Sequence, residues 1–321
     1  MGGMGTSLQT TNPTIVSAFE SALLHQSLLV LVILALLATA WNVLRSIQLR
    51  RAANGGQLSV DSMGSEPAAR HLLRVAFGCI WLFDGILQAQ VSMPLGLPSG
   101  VIQPAVSSSP AWVRSLVDVG VRTWSNHPVP AAASAVWIQV GIGIWLLVAP
   151  RGNWSRLAGL VSAGWGLVVW VFGEAFGGIF GPGVSWLFGA PGAVIFYVVA
   201  GVLIACPERL WASRRLGRGI LAASGLFFLG MATLQAWPGR GFWQGQSNPH
   251  AAAGSLTSMV QGMAQTPQPG VLSSMVSSFA SFDAAHGWAV NLFVVIALAA
   301  IGAAFLTARR QIVLVAVIVG T

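Results

Sequence analysis

The stretch from residue 69 to residue 89, ARHLLRVAFGCIWLFDGILQA, decides the fold. Arg70 and Arg74 open it, and in the apolar run that follows Asp84 is the one charged residue. About 20 mainly apolar residues let a helix cross a hydrocarbon core of roughly 30 Å. The stretch therefore reads as a membrane span with a basic end, placed at 72–92. Runs of the same kind lie at 20–44, 132–149, 157–175, 190–206, 219–237 and 287–308. An eighth begins at Gln311 and is too short to cross before Thr321, as in a truncated product. Residues 1–18 are polar and have no basic residue ahead of the first run, so they lack the n-region of a signal peptide.

Composition agrees. Of 321 residues 55% are hydrophobic and 7% charged, against roughly 25% charged in soluble domains. Mean hydropathy is +0.74, which excludes a soluble enzyme or a disordered regulator. A net charge of +8 would point a soluble protein toward nucleic acid. Here all sixteen basic residues are arginines scattered over short loops rather than gathered on one face, so no nucleic-acid partner is expected. Cys79 and Cys206 lie in apolar stretches without C-x-x-C or Cys/His spacing, so neither a disulfide frame nor a zinc site is indicated.

Arginine placement sets an orientation. Arg45, Arg50, Arg51, Arg70 and Arg74 flank the first loop, and Arg151 and Arg156 the third. The fifth has Arg209, Arg214, Arg215 and Arg218, and the seventh Arg309 and Arg310. The other side has Arg114, Arg122 and Arg240. The positive-inside rule puts the thirteen in the cytoplasm and the N-terminus outside. Two long outer segments, 93–131 and 238–286, carry amphipathic pieces around Trp112 and from Leu256 to Met263. These read as interfacial helices or as a lid over a site.

Order and spacing also repeat. Gly78 precedes Gln88 by ten residues in a helix that ends Leu87-Gln88-Ala89, and Gly225 precedes Gln235 by ten in one that ends Leu234-Gln235-Ala236. A long outer segment follows each, ending in His127 or His286, from which a helix runs inward to Arg151 or Arg309. The expected fold is thus an all-α polytopic membrane protein with seven full spans, a partial eighth and two parallel internal repeats. Its divisions are an external tail at 1–18, a first helix and basic cytoplasmic loop at 19–69, a four-helix repeat at 70–210, and an incomplete second repeat at 211–321.

An opening helix of the form G-x-x-W-L-x-D-G-x-L-Q, Gly78 to Gln88, and a third helix ending G-E-x-F-G-G, Gly173 to Gly178, resemble the DoxX-like family of four-helix membrane proteins. The resemblance covers about 70–210 well and 216–321 poorly. It implies a bacterial plasma-membrane protein, with relatives tied to sulfur oxidation through quinone or to redox-stress complexes.

The candidate polar site is Asp84, Gln88, Glu174, His127, His286 and Gln235. An ionisable group at membrane depth is costly and should face protein or water. Asp84 and Glu174 read as a proton- or cation-binding pair; alternatively Asp84 bonds a neighbouring backbone or tryptophan N–H and Glu174 reaches the headgroups. Gln88 and Gln235 read as bridges between helices, and the histidines as interfacial caps or metal ligands. No H-x-x-x-H spacing is present, no metal site or catalytic residue is assigned, and no cofactor is identified. Met93, Met259, Met263 and Met275 suit Cu(I) or plain packing. Asp84, Gln88, Glu174 and His127 are expected to line a cavity open to the outside. Partners are the lipid bilayer and other membrane-protein subunits. The function expected is an accessory or structural subunit of a membrane complex, possible redox linkage included; an ion-coupled permease and a quinone-using oxidoreductase are the alternatives.

Overall fold

The computed structural model describes residues 12–53, 66–149, 151–248, 250–265 and 269–307, with 309, 312 and 317. It is 80% helix, with no strand among the described residues. Residues 54–65 of the cytoplasmic loop expected within 19–69, and nearly all of the hydrophobic stretch at 311–321, lie outside the described residues. Two compact units divide the chain: one of residues up to 107 with 111–175 and 194–208, the other of 108–110, 176–193 and everything from 209 on. The segment 176–193, read as part of the first repeat, thus groups with the second half.

The first unit holds α1 (Pro13–Ala53), α2 (Ala68–Gln88), α3 (Ala111–Asn126), α4 (Pro128–Val148), α5 (Gly152–Phe172) and α6 (Val194–Ala205). Helix α1 starts inside the stretch read as a polar tail. It packs on α4 through Phe19, which is fully buried against Ala132, Ala133 and Val136. Helix α2 lies along α4, and α5 along α6. Trp81, Ile142, Leu146, Ala158 and Ile204 form the core between these four.

Glycines set both close pairs. A methyl built on Gly143 would lie 2.8 Å from the Gly78 carbonyl oxygen, and one on Gly159 2.6 Å from that of Gly201. Small residues let backbones approach in this way inside a membrane. Gly141, two residues before Gly143 on the same helix, meets nothing within 4 Å and takes no part in this packing. Helix α6 begins at Val194 rather than at residue 190, because Pro191 and Gly192 precede it in a non-helical turn. The G-E-x-F-G-G motif at 173–178 does not continue α5, since Ala175, Phe176, Gly177 and Gly178 all have positive φ, from 49° to 69°.

The second unit holds α7 (Arg214–Ala236), α8 (Ser255–Ala264) and α9 (Gly270–Thr307). Helix α7 packs on α9, where a methyl on Gly225 would lie 2.8 Å from the Gly302 carbonyl oxygen. Residues 176–193 pack here through Trp186, which meets Phe227 and Phe228 edge-on at 5.5 Å. Helix α9 is interrupted at His286, where φ is −128° and ψ 24°.

Among the described residues six helices are long and apolar enough to cross a membrane: 13–32 within α1, and α2, α4, α5, α7 and α9. Helix α6 is apolar but has only 12 residues. The chain is an all-helical, multi-pass membrane protein.

Candidate functional site

Helix α2 carries polar side chains along its length, and Arg70, Arg74 and Trp81 have partners on other helices. At its start Arg70 and Arg74 are buried, with 0% and 2% exposure. The sequence places them at the membrane edge as loop charges. They fold inward instead because the last carbonyls of two neighbouring helices need donors. Arg70 donates to Ile204 O of α6 at 2.9 Å and to Ser155 Oγ of α5 at 2.8 Å. Arg74 donates to Leu147 O of α4 at 3.1 Å and also to Leu146 O.

Glu66, just ahead of the helix, pairs with both, at 2.6 Å from Arg70 and 2.9 Å from Arg74, and Glu208 lies 4.0 Å from Arg70. Burial alone would raise the Glu66 carboxyl. Hydrogen bonds from Arg74 and His71, with the charges of Arg74 and Arg70, outweigh it and hold the group below its ordinary value of 4.5.

Two turns along, Trp81 is buried and donates Nε1–H to Ser162 Oγ of α5 at 2.8 Å. Its ring meets Tyr197 of α6 edge-on at 4.9 Å. Asp84, the half-buried carboxyl within the span, lies one turn beyond Trp81 on the face of α2 that meets Tyr197. Glu174, in the turn after α5, accepts from the Val194 backbone N–H at 3.1 Å. It thereby caps the positive end of α6, where a carboxylate is stabilised by the helix dipole. Gln88 lies one turn beyond Asp84, half-buried at the end of α2, and His127 is exposed at the junction of α3 and α4.

In the second unit Gln235 is fully buried. It accepts from Ser185 and donates Nε2–H to Asn291 Oδ1 at 2.7 Å, tying α7 to α9 and to the segment 176–193. His286 is exposed, stacks on Phe282 at 4.7 Å, and pairs Nδ1 with the Phe282 carbonyl at 3.1 Å. It borders a cavity of about 800 Å³ with Trp243, Gln246 and Trp288. Met259, Met263 and Met275 line an apolar pocket of about 320 Å³ with Leu187, Phe279 and Val294. No group of three or more His, Cys, Asp or Glu side chains placed to hold a metal occurs among the described residues.

Sequence reading missed Tyr197, Ser162, Ser185, Asn291, Thr257 and Asp283. The single tyrosine of the chain was the available signal for the first, since a lone phenol in an apolar helix needs a partner for its hydroxyl. Asp283 was hidden because it precedes the apolar run at 287–308 and counted as loop.

In comparisons with family models, with curated proteins and with solved structures, nothing matches this chain.

Proposed function

We propose that the chain is an integral membrane accessory subunit, a helical scaffold within a larger membrane complex. The observation that carries this reading is the use of α2 as a clasp. Three of its polar side chains go to neighbouring helices: Arg74 to α4, Arg70 and Trp81 to α5, and Arg70 also to α6. In a bilayer, interhelical hydrogen bonds of this kind hold helices together. Helix α1 adds a second support. It would extend about 60 Å at 1.5 Å per residue, and its crossing part is only 6% buried in the chain itself. Leu24, Leu28, Leu31 and Val32 are left for lipid or for a partner helix.

The proposal includes two repeats of one unit, running in the same direction through a bacterial plasma membrane, with seven spans, a partial eighth and the N-terminus outside. Helix bounds support the repeat. Helix α3 has 16 residues, His127 follows in a non-helical conformation, and α4 has 21. Helix α9 runs from Gly270 to Thr307 with its one non-helical residue at His286, which leaves segments of the same two lengths on either side. Gly78 against Gly143 is matched by Gly225 against Gly302. The arginine pattern supports the direction. The DoxX-like reading of 70–210 belongs to the same proposal and gives the complex a redox setting.

Purification of the tagged chain from its native membranes in mild detergent tests the reading. Stoichiometric co-purification of other membrane subunits is the expected result, with an absorption spectrum of that material reporting haem or flavin in the complex. A chain that emerges alone under conditions that keep known membrane complexes whole would contradict it.

A further inference from the structure

The apolar pocket of about 320 Å³ in the second unit lies between α8 and α9. The ten side chains that line it are leucine, valine, phenylalanine or methionine. On α8 they recur at helical spacing, as Leu256, Met259, Val260 and Met263. Leu256 and Val260 are buried and make its floor, whereas Met263 and Met275 are more than half exposed and make its rim. Thr257, buried on α8, donates Oγ1–H to the buried Asp283 Oδ2 of α9 at 2.6 Å and pins the two helices beside it. The volume falls within the range of ligand sites, about 300–1,000 Å³. Walls without an amide, hydroxyl or charge would strip the hydrogen bonds from a polar guest. The guest that fits is hydrocarbon.

The position of the pocket says where that hydrocarbon comes from. Helix α9 has 38 residues and would extend about 57 Å at 1.5 Å per residue, against a hydrocarbon core of roughly 30 Å. The apolar run at 287–308 is long enough to cross, which leaves the segment before the break at His286 at the membrane surface. That segment has two faces. Leu272, Met275, Phe279 and Phe282 recur three or four residues apart and are all exposed. Ser273, Ser277 and Ser281 stand on the opposite face. An exposed apolar stripe beside a crossing helix is a surface for lipid. Met275 and Phe279 belong both to the stripe and to the pocket, while Val290 and Val294 line it from the crossing segment. Phe293, three residues past Val290, is also exposed. The pocket is therefore continuous with the lipid-facing surface, and an acyl chain reaches it sooner than a molecule from water. The three methionines suit that guest, because their flexible thioether chains adapt to apolar partners of varying shape.

We propose that the pocket between α8 and α9 binds an acyl chain of a membrane phospholipid from the leaflet next to α8, held as a fixed guest apart from exchanging bulk lipid. This goes beyond the scaffold reading and does not depend on it.

The test reconstitutes the full chain in vesicles of phosphatidylethanolamine and phosphatidylglycerol with a trace of phosphatidylethanolamine that carries a diazirine on one acyl chain. The chain is then extracted in mild detergent, separated from free lipid and irradiated, so that only lipid carried along is captured. The expected result is retained lipid crosslinked to residues 256–263 or 275–279. Val290→Trp, which fills the pocket, and Met275→Asp, which sets a charge at its rim, should each lower that crosslinking about tenfold, the worth of roughly two methylenes of lost burial. Met275 is exposed, so the charged variant keeps the test open where Val290→Trp fails to fold. Ile296→Trp, two residues past Val294 and so about 200° around the helix, should leave the crosslinking unchanged. A chain that carries no lipid, or crosslinks spread evenly over the exposed apolar residues, would overturn the site. Capture that survives Met275→Asp unchanged would also overturn it, as would a lipid-free chain that runs as a dimer with a second copy covering the pocket.

Discussion

Glu66 is the residue on which the buried arginines depend. With Glu66→Gln, Arg70 and Arg74 keep their carbonyl partners but lose the charge that balances them. Removing one partner of a buried ion pair costs about 3–5 kcal/mol, and we expect a loss in that range in the thermal or denaturant stability of the purified chain. The pH dependence has a definite sign. Because the folded Glu66 titrates below its ordinary value of 4.5, its stabilisation is complete above that value and disappears as pH falls through the lower folded one. Glu66→Gln should flatten that acid limb, and an unchanged limb would remove Glu66 from this role. None of this was legible in the sequence, where Arg70 and Arg74 are two of many basic residues near a span end. Asp84 was legible, because a carboxyl inside an apolar run needs a partner whatever the fold. Tyr197, on the helix that this face meets, sits more than a hundred residues away, and only the packing of α2 on α6 brings the two side by side.

Among elements, α5 and α6 make the tightest approach. A methyl at Gly159 would meet backbone atoms, Gly201 O at 2.6 Å and Ala205 N at 2.8 Å, so no side chain can swing away to make room. Gly159→Val should therefore force the two helices apart at a cost of about 1–3 kcal/mol, whereas Gly164→Val, where nothing lies within 4 Å, should cost much less. Equal stabilities for the two variants, measured by thermal aggregation in detergent, would contradict the packing. The helices themselves were readable from apolar runs of about 20 residues, and α3 and α8 from helical spacing of apolar residues. Which glycine packs was not readable. Gly141 and Gly143 are about 200° apart around the helix, and only the position of α2 selects Gly143. The late start of α6 follows from Pro191 and Gly192, punctuation visible in the sequence but overridden there by the apolar composition of 190–206.

At the scale of the whole molecule, sequence and structure agree that the chain is helical and crosses a membrane several times. The central claim goes further: one unit occurs twice, and its helix–histidine–helix segment crosses in the same direction both times. Arginine bias carries the direction and helix bounds carry the equivalence, whereas residue identity between the halves is too thin to show either. Asn126 and Ala285 are the exposed residues immediately before His127 and His286, and Ala212 is exposed in the arginine-rich connection before α7. Each can be replaced singly by cysteine in a chain lacking Cys79 and Cys206, and labelled in intact cells with a membrane-impermeant maleimide. The account predicts that Asn126→Cys and Ala285→Cys are both modified from outside while Ala212→Cys reacts only after the cells are opened. Modification of Asn126→Cys and Ala285→Cys from opposite sides would contradict it.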